Sequence, residues 1–404
     1  MISINRDRLL AELRDLARIG QYKTGVHRIA FSPADIEARE WLAARFRAAG
    51  LETSVDRFGT IYGAAPKVQK SILIGSHSDT VPHGGWLDGA LGVIYALEIA
   101  RSAQESGSHP SGIGVDAVNF QDEEGSYFPF LGSLSLIDAV DPQAMDVAQS
   151  ADGHKLADAV SSAGLSGEPR RLEPGRQIAF LEAHIEQGPR LEHSGSQIGV
   201  VTDIVGIRRL RVVSHGRADH AGTTPMTMRR DALAPMFRLG CFVAERFPQL
   251  AGPNTVWNVG RIEAVPGAAN VVPARAQFIL EFRDTAAALL DRIGQEVAGE
   301  IARLNAAGAE IETEAITTIV PTAMDAKLAT TFEQAAADLG YRSQRMASGA
   351  GHDAMIMASR IPSAMIFVPS IGGRSHDIAE NTKDDDIVAG CMVMARAVER
   401  LTAV

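Results

Sequence analysis

Residues 71–93, SILIGSHSDTVPHGGWLDGALGV, constrain this chain more than any other stretch. Residues 71–76 form a short apolar run that reads as a buried strand. His77 and Asp79 follow two residues apart, so both side chains leave the strand end on one face. Pro82, Gly84 and Gly85 then force an irregular loop that delivers Asp88, and residues 89–100 read as an apolar helix packing back. In open α/β sheets, sites form beyond the carboxyl ends of strands. One histidine and two aspartates there fit a metal site as readily as a capped loop with surface charges. Partners elsewhere in the chain have to decide between the two.

Three further strand ends repeat the arrangement. Residues 113–120 read as a strand running into Gln121-Asp122-Glu123-Glu124-Gly125. Adjoining carboxylates repel one another unless they are fully solvated or share a cation, and after a buried strand the cation is the stronger reading. Residues 126–132, aromatic and apolar, read as the wall of a pocket. Residues 177–184 form a strand finishing in Ala183-His184-Ile185-Glu186-Gln187-Gly188-Pro189, where His184 taken alone reads as a structural histidine satisfied by a neighbour. Residues 363–368 form a fourth buried strand, followed by a glycine-rich loop and His376. Collected, His77, Asp79, Asp88, Glu123, Glu124, His184 and His376 make a donor set sufficient for two divalent metals with nitrogen and oxygen ligands.

Around these strands, residues 6–19 and 33–50 read as helices, the second opened by the cap-like Ser32-Pro33-Ala34-Asp35, and 51–56 with 60–65 as a strand pair. Residues 139–176 read as surface helices and loops. Residues 326–339 and 354–359 read as helices, and a final helix opens at Asp384-Asp385-Asp386, acids that complement a helix N-terminus and need no other role. Strand alternates with helix, as in a largely parallel sheet. From residue 207 the pattern changes: strands at 207–214, 255–262, 276–283 and 310–317 and helices at 229–247 and 285–306 give β-α-β-β-α-β, the split βαβ order of a ferredoxin-like layer. This predicts an inserted domain over 206–318, with 1–205 and 319–404 forming the other. The insert carries its own polar cluster of His215, Asp219, His220, Thr223, Thr224, Asn270 and Arg283. Asp219 and the threonines read by default as turn and cap residues, and Arg283 as a strand-end residue paired with Glu281 or Asp284.

Composition narrows the function classes. A chain of 404 residues exceeds what one core usually supports, in line with two domains. A formal net charge of -10 disfavours a nucleic-acid partner and favours a small molecule. No apolar run reaches membrane-spanning length, and residues 1–20 are interrupted by charge every few positions, which argues against a signal peptide and leads us to expect a cytoplasmic protein. Cys241 and Cys391 stand far apart without a CxxC, so any metal must be held by histidine and carboxylate.

The motifs GSHSDTVPHGGWLDGALGV, DEEGS, AHIEQGP, HGRADHAGTTPM, NVVP, SGAGHDA and SHDIAE resemble, across nearly the whole chain, the M20 metallohydrolases and specifically their hydantoinase/carbamoylase amidase branch. HIEQGP and DHAGTTPM are long and specific, whereas SHxDT with DG would fit any M20 peptidase. The resemblance implies an α/β protein: a zinc-peptidase-like catalytic domain with a mostly parallel sheet, plus a ferredoxin-like lid and dimerisation domain. It implies hydrolysis of a ureido or linear amide C–N bond, as in an N-carbamoyl-L-amino acid or an allantoate-like acid, by two metal ions (Zn, Mn, Co or Ni). By resemblance Asp88 bridges the ions, His77 and His184 hold one, and Glu124 and His376 hold the other. Asp79 would orient the His77 imidazole through its carboxylate, and Glu123 would be the general base. His220, Asn270 and Arg283 would be carried by the lid onto a carboxylate substrate, with Gln187 joining them, in a homodimer with no nucleic-acid or membrane partner. The chain departs from the branch in having Tyr127-Phe128 and Trp86-Leu87 where members often carry Arg-Phe, which bears on the substrate more than the reaction. The alternatives are an M20-type dipeptidase or aminoacylase, told apart by HIEQGP and NVVP, and a non-catalytic binding relative, disfavoured by the intact ligand set.

Overall fold

Four short apolar runs become four adjacent parallel strands. In the computed structural model, which describes residues 2–107 and 112–403, they follow one another across a sheet in the order Ser363–Val368, Gln177–Ile185, Lys70–His77, Ile113–Phe120, each pair parallel. Register brings their carboxyl ends level: His77 lies opposite Phe120, and His184 opposite Phe367. The antiparallel strands Ile61–Ala64 and Glu52–Val55 extend one side of the sheet, and Ile198–Ile204 pairs antiparallel with Ser363–Val368 on the other. Ser343–Ser348 adds to that edge; its sequence SQRMAS has no apolar run to announce a strand.

The central helix Ala90–Glu105 is buried at every position from Ala90 to Ala103. It has no polar stripe because the sheet covers one side and the helices Arg6–Arg18 and Asp384–Thr402 cover the other. The helix Pro33–Ala48 begins as its sequence implies: the Ser32 hydroxyl accepts from Asp35 N at 3.3 Å, and the Asp35 carboxylate reaches back to Phe31 N at 2.8 Å. Residues 139–176 contribute the short helices Pro142–Val147 and Leu156–Ser162. Among the described residues, no helix is long and apolar enough to cross a membrane.

The chain divides into two compact units, Met1–Thr202 with Ala323–Val404, and Asp203–Thr322, against sequence-expected boundaries at 205/206 and 318/319. The second unit holds an antiparallel sheet in the order Val256–Val265, Arg275–Asp284, Gly206–His215, Ile311–Ile319. The helices Leu233–Leu250 and Ala287–Ala306 cover one face of it. This is the ferredoxin-like layer expected from the strand and helix order.

Leu181, fully buried at the middle of the parallel sheet, tests whether this sheet carries the stability of its unit. Leu181→Ala is expected to destabilise by about 2–5 kcal/mol, read as a lower urea midpoint; an unchanged midpoint would show that the sheet core repacks freely.

Candidate metal centre

Each strand end delivers a donor, and the loops that follow set its direction. His77, 1% exposed, ends its strand with Nδ1 against the backbone carbonyl of Asp79 at 3.0 Å. His184 does the same against the Ile185 carbonyl at 2.9 Å. A ring that donates from Nδ1 to a carbonyl presents the lone pair of Nε2, the form a metal ligand requires. Both Nε2 atoms face Asp88, His184 at 3.0 Å and His77 at 3.6 Å from Oδ1. Gly89 makes the approach feasible: its φ is +62°, and a Cβ there would lie 2.5 Å from the His77 ring.

The other oxygen of Asp88 faces a second group. His376 Nε2 lies 3.5 Å from Asp88 Oδ2 and 3.4 Å from Glu124 Oε1. Ligand atoms of His77, Asp88 and His184 fall within 4.8 Å of one another, as do those of Asp88, Glu124 and His376, so the aspartate belongs to both sets. The loop that turns Glu123 and Glu124 inward is built by the acid before them. Asp122, at φ +54°, accepts from the backbone N–H groups of Ser126, Tyr127 and Phe128 at 2.7, 3.0 and 2.7 Å. Glu123 Oε2 stands 3.5 Å from His77 Nε2. Of residues 126–132, Tyr127 packs edge-on against Phe31 and joins Phe128 and Leu131 in a satellite apolar cluster.

The electrostatics suit a cation. Burial pushes the Glu123 pKa well above the ordinary carboxylate range, and Glu124, Asp353, Asp79 and Asp88 push it the same way. Burial, with Asp122 second, does the same to Asp79. Burial also works against charge on Asp88, yet the His184, His77 and His376 imidazoles hold its pKa well below the usual value. Glu124 raises His376 to about 9. At His184 burial opposes the charge, but Asp88 prevails and the pKa rises to about 9. Borderline nitrogen and hard oxygen donors, turned inward among buried acids, fit divalent zinc-like or manganese-like ions.

Two expectations are corrected. The Asp79 carboxylate does not orient His77: Oδ1 is 3.8 Å from Nδ1, and the backbone carbonyl of Asp79 takes that role, while Oδ2 receives Glu124 N at 3.3 Å. Nor does the inserted unit present its three candidates together. His220 and Asn270 are neighbours: His220 pairs with Val271, and Ala221 N donates to the Asn270 carbonyl at 3.0 Å. Arg283 lies at the far end of the strand Arg275–Asp284, opposite Ile207, whereas Arg275 lies opposite His215. At the rise of an antiparallel strand the two ends are about 25 Å apart, with the His220 strand pair following on from the Arg275 end. Arg283 pairs with Glu281 through Nε at 2.8 Å, and Arg209 Nε shares the same glutamate at 2.6 Å. His220 Nδ1 accepts from Gly222 N and Thr223 N at 3.0 and 3.2 Å, which leaves its proton on Nε2 as an outward donor.

Other site residues escape a reading by donor type. Gln187, held at φ +59°, donates from Nε2 to Asp88 Oδ2 at 2.9 Å and so touches the shared carboxylate. Ser375 Oγ reaches the same oxygen at 2.8 Å, and Glu380 accepts from Leu87 N and Asp88 N, both at 3.0 Å. His352 packs its ring against His184, with centroids 4.7 Å apart, and bonds Ser348 Oγ at 2.9 Å. Gln187 was expected from AHIEQGP as a substrate binder and is found on Asp88; the sequence signal of Ser375, Glu380, Ser348 and His352 was membership of the motifs SGAGHDA and SHDIAE.

An α/β sheet whose strand ends converge on two histidine–carboxylate groups, interrupted by a ferredoxin-like unit, defines a class: the metal-dependent hydrolases. The chain belongs to Peptidase family M20/M25/M40, whose profile matches residues 73–400. It is 36% identical over 412 residues to an N-carbamoyl-L-amino-acid amidohydrolase of Paenarthrobacter aurescens, covering 98% of each chain. It is 35% identical to an allantoate amidohydrolase of Escherichia coli strain K12, covering 93% of each. Its fold superposes on the crystal structure of a hydantoinase/carbamoylase family amidase from Burkholderia phymatum with a TM-score of 0.91 at 42% identity, covering 99% of this chain and 98% of the other. The branch identified from the motifs agrees with these relatives.

Against burial, Asp88 and Glu124 raise the His184 and His376 pKa values to about 9, so an ion that takes these imidazoles as ligands displaces any protons they carry at neutral pH. Metal uptake at pH 7 is therefore expected to release up to about two protons, with apparent affinity rising as pH rises toward about 9. Calorimetric titration in two buffers of different ionisation enthalpy measures this, and uptake without proton release would contradict the ligand assignment.

Proposed function

We propose that this protein hydrolyses the C–N bond of a ureido acid, an N-carbamoyl-L-amino acid or an allantoate-like substrate, with two divalent cations held through Asp88. The observation that carries the reading is the shared aspartate between two histidine–carboxylate groups with Glu123 beside them, in a chain matched over 98% of its length by an N-carbamoyl-L-amino-acid amidohydrolase. His77 and His184 hold one ion, and Glu124 and His376 the other. When bound, the cations supply Lewis-acid polarisation of water and carbonyl. Glu123, whose pKa burial and neighbouring acids raise, takes the proton of the attacking water and returns it to the departing nitrogen. Asp79 supports the loop by receiving Glu124 N. Both cysteines are free thiols, which supports a reducing, cytoplasmic setting.

Arg283 suits a substrate carboxylate, since a guanidinium fork pairs bidentately with one. His220, whose Nδ1 is taken up by the Gly222 and Thr223 amides, has Nε2 left to donate to the scissile carbonyl oxygen as negative charge develops there. Arg283 stands at one end of the strand Arg275–Asp284, and His220 and Asn270 lie in a separate strand pair beyond its other end, so about 25 Å of strand runs between the two places, more than a small substrate bridges. The reading therefore requires a homodimer in which a second copy supplies His220 and Asn270 to the site that Arg283 serves.

Ammonia release from N-carbamoyl amino acids and allantoate, with Mn or Zn added and a dipeptide alongside, tests the substrate class. Ureido acids are expected to turn over, and chelator to abolish activity; cleavage of the dipeptide alone would favour a peptidase. Glu123→Gln is expected to keep both ions and lose about 10²- to 10⁴-fold in kcat. If instead Glu123→Gln loses an ion while Glu124→Gln keeps both, the two glutamates exchange roles.

Subunit mixing tests the dimer. Glu123→Gln and His220→Ala should each be inactive alone, yet their random mixture should recover about a quarter of wild-type activity, because one site in each mixed dimer combines an intact Glu123 with an intact partner histidine. No recovery would show that His220 serves its own chain.

A further inference from the structure

Glu380 closes the motif SHDIAE and holds no metal ligand role in the reading above. It is 2% exposed, and its carboxylate is divided between two loops. Oε1 accepts the backbone N–H groups of Leu87 and Asp88, each at 3.0 Å, and Oε2 lies 3.1 Å from Ser375 Oγ. Gly85 is shaped around it, since a Cβ there would stand 1.9 Å from the Glu380 carboxylate. Glu380 thus ties the loop that carries Asp88 to the loop that carries His376, one residue beyond Ser375.

Ser375 has a single hydroxyl proton and two carboxylates within reach, Asp88 Oδ2 at 2.8 Å and Glu380 Oε2 at 3.1 Å. One proton serves one acceptor at a time. Oδ2 is the oxygen that Asp88 turns toward His376, 3.5 Å from its Nε2. A hydroxyl donating to Oδ2 competes there with a cation for the same lone pairs.

We propose that Glu380 is a positioning residue for the Asp88–Glu124–His376 ion: it fixes the Asp88 turn through two amides and offers the Ser375 hydroxyl proton a second acceptor, so that one of the two donors on Asp88 Oδ2, Ser375 Oγ beside Gln187 Nε2, can turn away when a cation binds. The inference rests on the reading of Asp88 as the bridge between two ions. Replacement by glutamine separates the two contributions. The carboxamide oxygen still accepts from Leu87 N and Asp88 N, but its NH₂ donates to Ser375 Oγ and so commits the hydroxyl proton to Asp88.

The experiment strips metal from the full-length protein and titrates Mn or Zn against a chelating dye, with bound ions counted by elemental analysis and no substrate present. The wild type is expected to bind two ions. Glu380→Gln is expected to keep one near wild-type affinity and to weaken the other by about 10- to 100-fold. Ser375→Ala in the Glu380→Gln background is expected to recover most of that loss, because the competing proton is gone. Equal affinities in Glu380→Gln and wild type, or a loss that Ser375→Ala leaves unchanged, would overturn the proposal. Wild-type protein that never takes a second ion would instead overturn the bridging reading on which it rests. If Glu380→Gln does not fold, Ser375→Ala alone decides: second-ion affinity within about threefold of wild type is expected, and a loss of about tenfold or more would show that Ser375, not Glu380, holds Asp88 in place.

Discussion

The Asp88 carboxylate is the element on which the rest of the centre depends, because its two oxygens face opposite ways. Oδ1 meets the His184 and His77 imidazoles at 3.0 and 3.6 Å, and Oδ2 meets Gln187, Ser375 and His376 at 2.9, 2.8 and 3.5 Å. A carboxylate held this way sits in the turn between a buried strand and a buried helix, and that turn closes only because Gly85 and Gly89 leave room for Glu380 and His77. A methyl group at either glycine would enter a site side chain. The glycines of GGWLDG therefore bear directly on ligand placement and not merely on loop flexibility.

Much of this was legible in the sequence, and the reason is topological. A parallel strand buried on both faces reads as an uninterrupted apolar run, so its carboxyl end can be located to within a residue, and polar residues beyond it stand out. His77, Glu124, His184 and His376 were found that way. The structure adds that their four strands are immediate neighbours, which is what makes four separate ends one site. What was not legible was the use of backbone in place of side chains. Asp79 was expected to act through its carboxylate and acts through its carbonyl, because a residue two positions beyond a strand-end histidine can offer either group. Asp122 looked like one of three equivalent acids, yet its three backbone contacts make it the frame of the loop. The separation of Arg283 from His220 is likewise a matter of register, which the strand pattern of the insert leaves open until the pairing Arg283 with Ile207 is known.

The acids of the centre are balanced from beneath as well as from within. Arg39, 5% exposed, donates to Asp35 and to the carbonyls of Gly59 and Phe120, each at 2.9 Å, and its guanidinium lies 3.8 Å from Asp79 Oδ1. Arg28 is fully buried and donates to the Ser78, Leu16 and Ile19 carbonyls at 2.7, 2.9 and 2.9 Å; burial lowers its pKa to about 10, still far above neutrality. Both side chains grip the backbone just past the Lys70–His77 and Ile113–Phe120 strands. They are fixed cations that cannot dissociate from the site they support, and the field they impose favours ionised Asp79 against the burial that opposes it. Glu123, Glu124 and Asp88 instead face imidazoles: His77 lies 3.5 Å from Glu123 and 3.6 Å from Asp88, and His376 3.4 Å from Glu124. Charge there has to be met by the imidazoles or by exchangeable cations. A protonated imidazole gives up the lone pair that a ligand needs, so on the proposed assignment proton and metal would compete for His184 and His376, while the buried arginines hold the surrounding loops through backbone carbonyls.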